Sequence, residues 1–238
     1  MSFLVSVYNT ILYRPLLNIL VLLYQYLPGR DLGIVTIILT ILIRFILHPL
    51  ISQSIKSQKA LAEIQPKLAE IQKTYKDDQE KQAKEIMALY KKEKVNPFKG
   101  FFLLLIQLPI IITIYQVFRK GLESAELNNL YSFVPHPGAI NPMFLGLINL
   151  SQSNWALALL AGIAQFFQLK MIESTNKKPE TKENKFQFSD ILQKQMLFVS
   201  VFFTFFILLK LPSIIALYWL VTSLITIVQQ HFVFKKNV

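Results

Sequence analysis

The chain has 238 residues, 53% of them apolar and only 16% charged, against about 25% charged in an ordinary soluble domain. The charge is gathered into a few segments and cysteine is absent, which excludes a disordered chain, a disulfide scaffold, a thiolate metal site and most soluble enzymes. The net charge of +11, from 25 Lys+Arg against 14 Asp+Glu, suits the basic cytoplasmic loops of an all-α integral membrane protein better than a DNA-binding surface.

Residues 1–28 hold one apolar run, Leu16–Leu27, shorter than the roughly 20 residues a span needs. This segment is expected to lie at the membrane surface as an amphipathic stretch, with a sixth span over 1–28 as the alternative. A first span is expected over 33–51, followed by a cytoplasmic segment over 52–96. There Leu61, Ile64, Leu68, Ile71 and Tyr75 recur at alternating three- and four-residue steps, a helical seam. Asp77-Asp78-Gln79 reads as a turn, and Ala83, Ile86, Leu89 and Tyr90 supply a second apolar face before Asn96-Pro97. The segment is therefore predicted to be a two-helix hairpin. Pro66 is expected to kink its first helix.

A second span is expected over 97–118, an external loop over 119–154 and a third span over 155–172. A cytoplasmic loop over 173–190 leads to a fourth span over 191–209. Lys210-Leu211-Pro212 then separates it from a fifth span over 213–234, with a basic tail at 235–238. The fold class read from this pattern is a five-transmembrane-helix core with a cytoplasmic helical hairpin and an N-terminal interfacial helix.

Charge sets the orientation. Ser52–Lys99 carries eleven Lys against seven Asp+Glu and Glu173–Asp190 carries four Lys, whereas Gly121–Asn154 carries no Lys or Arg. With an external N-terminus and a cytoplasmic C-terminus, every lysine-rich segment stays inside. Residues 1–28 also lack the basic start of a signal peptide, and no transit-type segment is present, which fits a bacterial plasma-membrane protein.

Polar residues inside the spans carry the functional signal. Arg44 lies about 16 Å along the first span at 1.5 Å per residue. Insertion scales charge roughly 2.5–3.5 kcal/mol for an arginine there, and no Asp or Glu in the apolar stretches offsets it. Thr36, Thr40, Arg44, His48 and Ser52 fall every fourth residue, as do Tyr218, Thr222, Thr226 and Gln230; Gln107, Gln116, Gln165 and Gln168 add amides. Facing one another, these would form a wet, positively charged cavity able to hold an anion, a proton relay or a polypeptide. His48 precedes Pro49 and reads more simply as an interfacial histidine. No phosphate loop, HExxH, GxSxG or carboxylate cluster occurs, so the chain reads as a non-enzyme with no cofactor or metal. The hairpin's lysines, among them Lys67, Lys73, Lys76, Lys81 and Lys84, suit a solvated spacer, anionic lipid headgroups or ribosomal RNA.

Particular strings then narrow the choice. LTILIRFILHPLISQSIKSQKALAEIQPKLAEIQ, from Leu39, contains Arg44, Pro49 and Gln65-Pro66; EIMALYKKEKVNPFKGFFLLLIQLPIIITIYQVF, from Glu85, contains Asn96-Pro97 and Gln107-Leu108-Pro109. With FFQLKM and LPSIIALYWLVTSLITIVQQ these resemble, in order and spacing, the YidC/Oxa/Alb membrane protein insertases. The resemblance implies a groove open to the cytoplasm and to lipid and closed outside. Arg44 would be its charge and Gln168 and Trp219 its wall, with Thr36, Thr40, Gln107, Tyr218 and Thr222 as further lining. It implies residues 2–27 along the outer surface, a hairpin that receives substrates, and a basic tail that helps meet the ribosome. Nascent membrane proteins are the implied substrates, with the ribosome, the Sec translocon and anionic lipids as partners and no small-molecule substrate. The tail after Phe234 is only four residues, and Ile214 stands where the family has a small residue after Pro-Ser. A small anion transporter or channel built on Arg44 is the alternative reading.

Overall fold

The computed structural model describes residues 2–120, 129–173 and 188–235. Nine α-helices run through these residues with a single two-stranded hairpin. The chain folds as an all-α membrane protein.

α1 (Ser2–Tyr8) passes through a π-helical turn at Asn9–Tyr13 into α2 (Arg14–Tyr26). The helix therefore begins well before the apolar run at Leu16, and Val5–Tyr26 is long and apolar enough to cross a membrane. Gly29 turns the chain with φ +82, a conformation that glycine adopts without a Cβ penalty. Asp31 then caps α3 (Leu32–Ile46), its carboxylate accepting from the Ile34 amide at 2.9 Å.

Predicted as one span over 33–51, the next segment instead breaks. α3 ends at Ile46, and α4 (His48–Thr74) leaves it at 72°. Pro49 explains the break, because it has no N–H for the carbonyl four residues back and its ring crowds that turn. It sits comfortably in the first turn of α4, where no intrahelical donor is required.

α4 continues helically past Pro66 to Thr74, and α5 (Gln79–Lys92) folds back along it. Asp78 caps α5 by accepting from the Lys81 amide at 3.0 Å. The hairpin has its own core of Ile64, Leu68 and Leu89, flanked by Leu61, Ile71, Ile86, Tyr90 and Val95. Ala83, expected on this apolar face, is exposed.

α6 (Phe98–Lys120), α7 (Trp155–Glu173), α8 (Phe188–Leu208) and α9 (Ser213–Lys235) complete the bundle. α9 is its axis, packing against α3, α4, α6, α7 and α8. Small buried residues on α7, Ala158, Ala161 and Ala164, allow close backbone approach where no aqueous hydrophobic effect drives helices together. Outward faces are apolar, notably Phe198, Phe202, Phe203 and Phe206 on α8. Among the described residues three helices are individually long and apolar enough to span, or four if the bent α3/α4 pair is one span. The described apolar stretches of α6 and α8, Leu105–Phe118 and Phe198–Leu208, are shorter.

One end of the bundle is capped by residues 129–154. β1 (Met143–Phe144) and β2 (Ile148–Asn149) lie there, with the Leu145 amide donating to Asp31. Asn18, 2% exposed, accepts from the Tyr131 amide at 2.7 Å, and the Tyr24 hydroxyl accepts from the Asn141 amide at 2.9 Å. The first amides of α9 are unpaired within the helix; Ser213 donates to the Gln152 carbonyl at 2.7 Å and Ile214 to that of Leu150 at 3.2 Å. The side chain of Ile214, in place of a small residue, is buried in the core. The predicted cytoplasmic loop 173–190, the tail beyond Lys235 and part of the external loop fall largely outside the described residues.

Candidate functional site

Arg44 occupies the last turn of α3 and is 7% exposed. Ending the helix at Ile46 puts its guanidinium near the negative end of the helix dipole, worth at most about 2 kcal/mol in a partly buried setting. That offsets only part of the roughly 2.5–3.5 kcal/mol insertion cost. None of the ion pairs among the described residues includes Arg44. Its electrostatic neighbour is Tyr218, which is buried on α9 and accepts a hydrogen bond from the Gln107 amide of α6. Three helices thus converge on one cation and two neutral polar groups.

The rest of the predicted lining divides. Thr36 and Thr40 are buried beside Arg44, but their hydroxyls donate to their own helix, to the Leu32 carbonyl at 2.7 Å and the Thr36 carbonyl at 2.6 Å. They satisfy themselves and leave only acceptor capacity. Thr222, one turn beyond Tyr218, is half-buried. Trp219 turns toward α7, where its indole N–H donates to Gln165 at 3.1 Å. Gln168, the amide expected in the wall, lies half-buried one turn further along α7, so Gln165 holds the contact. Gln116 is used elsewhere, accepting from the Tyr8 hydroxyl at 3.1 Å.

The 72° bend interrupts the fourth-residue stripe. Thr36, Thr40 and Arg44 stay in the bundle, whereas His48 is exposed on α4. His48 bonds Gln229 at 3.0 Å and Ser52 at 3.3 Å, tying the root of the hairpin to α9. Gln229 carried no sequence signal apart from its neighbour Gln230. Gln230 is fully buried, and neither its amide nitrogen nor its oxygen has a hydrogen-bond partner among the described residues. Buried amides left unpaired by protein are costly, so this end of α9 is chemically suited to contact water or a polar guest.

On the hairpin, three of the five singled-out lysines are engaged locally. Lys67 pairs with Glu93 at 2.6 Å, Lys81 with Asp78 at 3.5 Å and Lys84 with Glu80 at 2.7 Å. Lys73 and Lys76 are exposed. The hydrogen bond from Lys67, then its charge, holds the Glu93 carboxyl below its ordinary pKa. Among the described residues no cluster of His, Asp and Glu could hold a metal ion.

Comparison with known proteins gives this arrangement a family. Residues 22–238 match the family described as 60Kd inner membrane protein. The chain is 32% identical over 224 residues to a protein named Membrane protein insertase YidC from Geobacter metallireducens, covering 93% of this chain and 36% of that one. Proteins of the same name from Pelobacter propionicus and Psychromonas ingrahamii are each 33% identical, over 95% and 93% of this chain and 39% and 35% of theirs. The chain thus spans little more than a third of the length of these curated relatives. Its apolar helices and the extent of the match together place it as a multi-pass membrane protein, and the chain belongs to the 60Kd inner membrane protein family.

Proposed function

We propose that this chain is the membrane core of an insertase that passes nascent membrane proteins from the cytoplasmic side into the bilayer. The observation that carries the reading is Arg44, buried among apolar helices with no ion-pair partner among the described residues. The name shared by the relatives supports it. The five-span arrangement, with the hairpin inside, the N-terminus outside and residues 1–28 along the outer surface, belongs to the same reading and rests on the positive-inside rule.

A polar tail crossing hydrocarbon pays several kcal/mol for each unsatisfied backbone group. A hydrated groove reaching from the cytoplasm toward Arg44 shortens that dry path. Arg44 attracts acidic residues of the tail, while Thr36, Thr40, Gln107, Gln168, Tyr218, Trp219 and Thr222 offer polar and aromatic contacts. The apolar segment then partitions into lipid. For acidic tails the membrane potential adds roughly 2.3 kcal/mol per charge per 100 mV. No covalent step and no nucleotide hydrolysis is required. Lys73 and Lys76, exposed on the hairpin, and the basic tail are the groups assigned in this reading to meet the ribosome, anionic lipids or the Sec translocon.

The test is photocrosslinking from Thr40 or Trp219 to a ribosome-bound nascent chain carrying one span. Crosslinks that arise at a defined chain length and fade on integration are expected. Their absence, with the protein folded, would turn attention to anion flux through Arg44.

A further inference from the structure

Between α7 and α9 runs an open groove of about 750 Å³ lined by Leu160, Ile163, Phe167, Leu220, Leu224 and Ile227, with Lys170 at one end. Its size falls within the roughly 300–1,000 Å³ of ordinary ligand sites. We propose that it binds one acyl chain of an anionic phospholipid, with the phosphate held at the rim by Lys170.

The depth of the groove selects a lipid. From Leu160 to Lys170 the helix rises about 15 Å, half of the roughly 30 Å hydrocarbon core. Trp155, exposed at the other end of α7, suits the opposite interface, where aromatic residues gather. The lining therefore covers one leaflet, and Lys170 stands at headgroup level. Apart from Lys170 the lining is wholly apolar, which suits a hydrocarbon chain with a charged end. A single chain entering sideways from the bilayer fits within the groove.

The rim supplies the charge selection. Lys170 is exposed and its ammonium lies 5.8 Å from the Phe166 ring centre; none of the ion pairs among the described side chains, which do not include that of Glu173, involves it. Phe234 continues the same face of α9 seven residues beyond Ile227, and Lys59 sits over its ring at 5.5 Å. Lys59 also lies 3.9 Å from Glu63, whereas Lys170 lines the groove itself. A lysine near a membrane surface contributes about 1 kcal/mol toward anionic lipid, or about fivefold selection. The proposal needs α7 and α9 to cross the bilayer and is independent of the insertase reading.

The experiment places a photoreactive amino acid at Ile163 in the full chain, reconstituted in vesicles of equal phosphatidylglycerol and phosphatidylcholine. Lipid adducts are weighed by mass spectrometry against those from Phe202 on the outer face of α8. About fivefold enrichment of phosphatidylglycerol at Ile163 over Phe202 is expected, abolished by Lys170→Gln and kept by Lys170→Arg. Equal ratios at the two positions would overturn the proposal, as would enrichment that survives Lys170→Gln. So would polypeptide adducts, or no adducts, at Ile163 while Phe202 captures lipid.

Discussion

Arg44 is a cation that the fold buries with no carboxylate partner among the described residues, and its surroundings explain how it is tolerated. The α3 terminus offsets part of its charge and Tyr218 and Gln107 add dipoles, but neither replaces an anion. Arg44→Ala should therefore spare folding, since it removes an uncompensated buried charge instead of orphaning a partner. It should impair insertion of substrates with acidic translocated tails by tenfold or more, on the scale of roughly 1.4 kcal/mol per decade, and neutral-tailed substrates much less. Arg44→Lys should be milder, because attraction to a passing tail needs a point charge and not a bidentate fork. Insertion assays on paired acidic and neutral substrates check this, and equal losses for both would remove electrostatic capture from the mechanism.

The start of α9 is legible in the sequence because Pro212 punctuates it, and α5 is legible from Asp78 and its apolar spacing. The bend at Leu47 was written in Pro49, yet apolar length alone carried the first span on to Ile51. Hydropathy counts residues and does not see a missing N–H. The pairing of Trp219 with Gln165 in place of Gln168 was not legible. Both amides lie three residues apart on one helix face, and only the axial register of α7 against α9 decides between them. Likewise the hairpin lysines read alike until their partners are known. Lys67 closes the hairpin against Glu93 across 26 positions, and this pair is the element's pH-sensitive part. Glu93 has a depressed folded-state pKa, so its contribution is complete above the ordinary carboxylate value near 4.3 and is lost as pH falls through the depressed one. Amide exchange at Ile64, Leu68 and Leu89 should accelerate over that acid window, and Glu93→Gln should flatten the response. Lys67 is exposed and Glu93 partly so, so added salt should shrink the effect.

The described residues form two cores that share no residue. The bundle core runs through α2, α3, α6, α7, α8 and α9 to the cap formed by residues 129–154, while the hairpin core of Ile64, Leu68 and Leu89 stands apart. What joins them is the root of the hairpin, where the Ser57 hydroxyl donates to the Asn96 carbonyl at 2.9 Å, His48 meets Gln229, and α4 packs on α6 and α9. Contact-separated cores of this kind make distant changes additive. Removing residues 63–93 and rejoining the chain should therefore leave bundle unfolding within a few degrees of the intact protein, because every root contact except α4's distal turns is retained. Insertion should nonetheless fall if the hairpin receives substrates before they reach Arg44. Thermal unfolding in detergent and insertion in reconstituted vesicles separate the two effects. Lost insertion with an unchanged bundle assigns reception to the hairpin, whereas unchanged insertion reduces it to a spacer and leaves the work to the bundle. A bundle that melts early would show instead that the hairpin fixes the 72° bend, and with it the position of Arg44.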